Sequence, residues 1–142
     1  MQSTKEVYYD LLDVRMKIKK VLNDIDSDSS NIDLEDGTDP NEVFLRDNCR
    51  SIVDRLSEIA YELSYLSKPI LEEGRLIKND NGRYEISGRY EFVSGSPIEV
   101  LVWDDFDECD RWVLTRVEHS GDDYVLHHHK ELPMAGLRAR RR

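Results

Sequence analysis

Two stretches in the first half of the chain carry apolar residues at the same 4,3,4,3 spacing: Val7, Leu11, Val14, Ile18, Val21, Ile25, and then Leu45, Cys49, Ile52, Leu56, Ile59, Leu63, Leu66. A mean period of 3.5 places each set along one narrow side of a helix, the pattern of coiled-coil pairing. Two seams of similar length joined by a polar stretch predict an antiparallel hairpin, each arm roughly 30 Å long at about 1.5 Å per residue. Such a hairpin is a scaffold or an interaction element and supplies no reaction chemistry.

Cap signals set the helix ends. Ser3 and Glu6 have capping-box spacing, which predicts a first helix over about 4–25. Residues 26–39, DSDSSNIDLEDGTD, hold six acidic residues and three serines and read as a solvated, mobile connection. Asp39 as N-cap, Pro40 at the first helical position and Glu42 as the far side of a second capping box open a helix over about 40–67. Pro69 stops it, because Lys68 before it is pushed out of the helical region.

After Pro69 the period changes from 3.5 to 2. The segments 74–79, 83–86, 89–93, 98–103, 111–119 and 124–128 read as short strands, separated by turn signals such as Asn79-Asp80-Asn81-Gly82 and Ser120-Gly121-Asp122-Asp123. Tyr84, Ile86, Tyr90 and Phe92 alternate with Arg83, Glu85, Arg89 and Glu91, so the aromatic set faces a core. Ile98–Trp103 is apolar on both faces apart from Glu99, which marks a central strand. The predicted fold is α+β: a coiled-coil-like two-helix hairpin (1–69), a five- or six-stranded antiparallel sheet or SH3-like barrel (70–132), and a basic disordered tail (133–142).

The formal charge of −10 is unevenly distributed: −6 over residues 1–69, −8 over 70–132, and +4 from the four arginines of 133–142. An acidic body repels nucleic acid and favours a basic protein partner. Four arginines at the end make a small phosphate-binding footprint beside carboxylates that compete for them. Two cysteines do not make a disulfide framework, and neither a signal-peptide core nor an apolar run of membrane-spanning length is present, so a reducing cytoplasm is expected and no membrane.

Gly82-Arg83-Tyr84, the block Ser94-Gly95-Ser96-Pro97-Ile98-Glu99-Val100, Trp112 and the Arg116–His119 strand ending before Gly121 carry a resemblance. On these residues the second half is similar to an uncharacterised small β-domain family of Firmicutes and their mobile elements. The resemblance implies an accessory protein encoded by a phage or mobile element. It supplies no active-site residues to carry over.

Motifs that demand chemistry are scarce. His127 and His129, on one face of a strand about 6.6 Å apart, invite a metal, but His119, three rungs away, is about 10 Å distant and no CxxC or HExxH accompanies them. A solvated strand end explains the histidines. The run starting at Asp26 begins like a calcium loop but has Asn31 and Gly37 where glycine and glutamate belong. No GxSxG, phosphate-cradling glycine loop or Cys/His pairing appears, so neither catalysis nor a cofactor is expected.

The segment Asp104, Asp105, Phe106, Asp107, Glu108 and Asp110 is the candidate site. Five carboxylates in seven residues repel one another unless a cation or a basic partner meets them. Phe106 among them, with Trp103 and Trp112 on either side, has the composition of an interface anchor. The bland alternative is a solvated loop whose tryptophans fill the core beneath. The expected function is a non-enzymatic acidic module that engages a basic, nucleic-acid-processing protein, in its sharpest form as an inhibitor of a host defence nuclease. Two alternatives stand beside it: nucleic-acid binding through the arginine tail and β domain, or self-association of the two seams, which leaves the chain a monomer or a homodimer.

Overall fold

The computed structural model describes residues 1–35 and 37–142; Asp36, part of the 26–39 connection, lies outside the described residues. The chain divides into two compact units, Met1–Lys68 and Pro69–Arg142.

In the first unit, helix α1 spans Thr4–Asp24 and helix α2 spans Pro40–Leu66. The Ser3–Glu6 capping box is formed on both sides, and Asp39 caps α2 by accepting from the Asn41 amide, with Pro40 in the first turn. Glu42 departs from expectation. Its carboxylate accepts from the Glu35 backbone N–H and so ties the connection to α2. Part of that connection is built: Ser29–Asn31 form a 3₁₀ turn capped by Asp28. Arg50 from α2 donates to the carbonyls of Ser30 (3.1 Å) and Ile32 (2.8 Å).

The strict seam is kept only in part: Ile18 and Leu63 are buried on it, and elsewhere burial shifts off it. The hairpin core consists of Ile18, Leu22, Val53 and Ala60, flanked by Ile25, Ile32 and Leu56. Leu22, Val53 and Ala60 each lie one position C-terminal to a seam residue, whereas Val14, Val21, Ile52 and Ile59 remain 44–46% exposed. The physical reason is geometric: an unsupercoiled helix turns every 3.6 residues, so a 3.5 stripe drifts across its face. One neighbouring helix buries only the part of the stripe turned toward it.

The second unit is an antiparallel sheet of seven strands: β1 (Glu72–Lys78), β2 (Tyr84–Ile86), β3 (Tyr90–Glu91), β4 (Pro97–Asp104), β5 (Cys109–Ser120), β6 (Asp123–Leu126) and β7 (Arg138–Arg141). Their order across the sheet is β3-β2-β1-β7-β4-β5-β6. Leu76, Ile86, Phe92, Ile98, Val100, Val117, Leu126 and Ala139 line one face as a dry core, and Tyr84 and Tyr90 pack inward with them. The Asn79–Gly82 turn closes with a 2.9 Å bond from the Gly82 amide to the Asn79 carbonyl, and Gly82 takes the φ of +76° that favours glycine there.

The sheet is curled into a half-barrel. Three strands separate β1 from β6, which in a flat sheet sets them about 19 Å apart at 4.8 Å per strand. Yet Lys78 on β1 reaches Asp123 on β6, with 3.1 Å between Nζ and Oδ1. Curling brings the two strands together around the core.

The largest correction concerns the end of the chain. Residues 133–142 were expected to be disordered, and they supply β7, hydrogen-bonded between β1 and β4 near the middle of the sheet. This strand accounts for seven where five or six were expected. The alternation Arg138-Ala139-Arg140 places fully buried Ala139 in the core and both arginines on the opposite face. Met134, also buried, anchors the approach to the strand.

Candidate functional site

β4 and β5 form the longest ladder of the sheet, from Pro97↔Arg116 to Asp104↔Cys109, and the acidic segment is the turn at its far end. Because side chains alternate along a strand, Ile98, Val100 and Val102 face the core while Glu99, Leu101 and Trp103 face the other way. The register then puts Leu114, Trp112 and Asp110 beside those three on the outer face. Neither tryptophan fills the core. Trp103 is 60% exposed, and Trp112 lies under the Arg140 guanidinium, 4.1 Å from ring centroid to carbon. Leu114 is exposed as well.

At the tip, the turn is organised by Asp104. Its Oδ1 accepts from the Phe106 amide at 2.9 Å and the Asp107 amide at 3.2 Å. These two bonds, with the Arg111 guanidinium 3.0 Å from Oδ2, hold the Asp104 carboxyl below the usual aspartate range. Arg111 also pairs with Asp107. Two of the five carboxylates are therefore structural and share an internal cation, a partner invisible from the charge run alone. Asp105, Glu108 and Asp110 complete the acidic rim. Glu108 sits at a φ of +49°, completing the reversal. Phe106 projects from this frame 94% exposed. An aromatic ring held out by a rigid, hydrogen-bonded turn carries little ordering cost on contact, the property of an interface anchor.

A second arrangement lies behind it. Glu99, 5% exposed, receives Arg140 through two 3.2 Å contacts and Arg142 Nε at 3.0 Å. Arg138 pairs with Glu73 and Arg141 with Glu72. All four tail arginines thus meet carboxylates of β1 and β4. The depression lined by Glu73, Gly74, Arg75 and Arg138, about 300 Å³, has its charged groups engaged in the same way, with Arg75 donating to the Gly136 carbonyl.

His127 and His129 are placed differently from expectation, whereas His119 lies opposite Tyr124 as the strand spacing requires. β6 ends at Leu126, His128 has a φ of +60°, and His127 and His129 therefore do not share a strand face. His127 Nδ1 lies 2.8 Å from Glu118, and His119 pairs with Tyr124 in the ladder with its ring against the tyrosine. Among the described residues no three His, Cys, Asp or Glu side chains converge as metal ligands. In the segment that began like a calcium loop, Asp28 caps a 3₁₀ turn and Asp26 adopts a φ of +53°. Among the described residues no helix is long and apolar enough to cross a membrane.

A helical pair followed by a curled seven-stranded antiparallel half-barrel, with a projecting aromatic turn on the sheet, defines an α+β protein whose conspicuous feature is a surface. Residues 74–141, essentially the whole β unit, match the family model described as a domain of unknown function, DUF5348. That span includes β7. No curated protein and no solved structure matches the chain.

Proposed function

We propose that this protein is a non-enzymatic binding module that grips a basic protein through the β4–β5 turn, with Phe106 and Trp103 as anchors and Asp105, Glu108 and Asp110 as the rim. The single observation that carries the reading is the 94% exposure of Phe106 on a turn rigidified by Asp104 and Arg111. A solvated loop has no need of a fixed, fully exposed aromatic ring, whereas an apolar anchor ringed by carboxylates suits a partner pocket with a cationic border. The engagement of the tail arginines by Glu72, Glu73 and Glu99 favours protein over phosphate as the ligand.

In the narrower form of the proposal, the partner is a cytoplasmic nucleic-acid-processing enzyme and the chain, carried by a phage or mobile element, inhibits it by occupying a phosphate channel with carboxylates. Affinity capture from the native host with the full chain, in parallel with Phe106→Ala and Trp103→Ala, tests the surface. Specific capture by the wild type and loss in both variants is expected. Equal capture by all three rules this surface out.

A further inference from the structure

The helical unit leaves an organised apolar face uncovered. At 100° per residue, Val14 and Val21 lie roughly 70° to one side of the direction in which Ile18 and Leu22 are buried. Ile52 and Ile59 lie roughly 100° from Val53 and Ala60 in the same rotational sense. The helices run antiparallel, so the same sense on both helices puts the four residues on a single flank of the hairpin. Leu45 extends that flank along α2, and Val7 extends it along α1, every one of the six being at least 41% exposed.

We infer that this flank is covered by a second copy of the same chain, giving a homodimer with a four-helix core; the inference is independent of the β4–β5 surface. Three observations select this occupant. First, the exposed residues repeat every seven positions on both helices (Val7, Val14, Val21 and Leu45, Ile52, Ile59), a spacing that fits another helix and fits an extended peptide or a globular pocket poorly.

Second, the area is sufficient. At roughly 80 Å² each, the six side chains offer about 480 Å² per copy, and about 960 Å² across a dimer before the aliphatic stems of Lys17 and Arg55 are added, close to the roughly 1,000 Å² that a specific interface must clear.

Third, the rims match in charge. The hairpin register, bracketed by Tyr8 bonding to the Leu66 carbonyl and Arg15 bonding to the Ser67 hydroxyl, places Lys17 and Asp24 on the rim of α1 within about a turn of the levels of Glu62 and Arg55 on the rim of α2. A two-fold axis parallel to the helices lays α1 on the partner's α2 and sets Lys17 toward the partner's Glu62, and Asp24 toward the partner's Arg55. Opposite charges meet at both of these levels, which favours this orientation.

Sedimentation equilibrium on the full chain from about 1 to 100 μM, with far-UV circular dichroism on the same samples, decides the matter. The expected result is a dimer that dissociates on dilution, and an I52E/I59E variant that stays monomeric throughout with its helical signal retained. A wild-type monomer at every concentration, or an undiminished dimer in I52E/I59E, overturns the inference. If I52E/I59E loses its helical signal, the exposed rim provides the test. K17E raises the dissociation constant roughly threefold or more, and adding E62K restores it; an unchanged constant in K17E overturns the proposed pairing.

Discussion

Glu99 on β4 and Arg140 on β7 form a two-point ion pair across 41 residues of sequence, in the most buried charged environment of the β unit. A carboxylate with so little access to water is tolerable only with its charge met and its oxygens bonded, and Arg142 completes the set at Oε2. The pair thereby fastens the last strand between two earlier ones.

Removing Arg140 leaves buried Glu99 with Arg142 as its counter-charge and takes away the bond to Oε1. Arg140→Ala is expected to destabilise the β unit by about 2–3 kcal/mol, against no more than about 1 kcal/mol for Arg138→Ala at the exposed Glu73 pair. Chemical denaturation followed by tryptophan fluorescence measures both. Truncation before Arg138 removes β7 altogether and is expected to abolish the cooperative transition of the β unit.

The two classes of aromatic residue separate in the same assay. Phe92 is fully buried, and Phe92→Ala is expected to cost about 3–5 kcal/mol. Phe106→Ala removes a ring that touches almost nothing, so stability is expected to stay within about 0.5 kcal/mol of wild type. A large loss of stability in Phe106→Ala contradicts the assignment of that ring to partner contact.

Acid weakens the β unit in a definite window. Bonds from Arg83 and Asn79 hold the Glu91 carboxyl below its ordinary value of 4.5, and Arg116 with His127 acts likewise on Glu118. For groups depressed in the folded state, the unfolded chain binds protons first as pH falls. Their contribution is complete above about 4.5 and is lost progressively below it as the folded-state values are passed. The melting temperature is expected to hold between pH 8 and 6 on their account and to fall below about pH 4.5. Glu91→Gln is expected to flatten part of that fall.

Arg50 fastens the connection between the helices. Arg50→Ala frees the Ser30 and Ile32 carbonyls and is expected to raise amide hydrogen exchange over residues 28–34 while α1 and the centre of α2 stay protected. Mass-resolved exchange on the full chain reads this directly. Uniform loss of protection across the whole helical unit contradicts a local role.

Local sequence determined the elements because their signals are local. Ser3 with Glu6, Asp39 with Pro40, the Asn79–Gly82 turn and the period-2 alternation of Tyr84, Ile86 and Phe92 act within a few residues, and the helices and six of the strands lie where these place them. Tertiary structure alone decided the rest. The helical seam gave way to the next position at Leu22, Val53 and Ala60 and was kept at Ile18 and Leu63, because burial depends on which side a neighbour occupies. The acidic turn acquired an internal cation because the hairpin register brings Arg111 back beside Asp104. The arginine tail, by composition a candidate for disorder, became a central strand because only the fold brings Glu72, Glu73 and Glu99 within reach of it. Its one trace in the sequence was Glu99 itself, a lone carboxylate in a strand otherwise apolar on both faces. A buried charge requires a counter-charge, and sequence spacing does not reveal which distant segment supplies it.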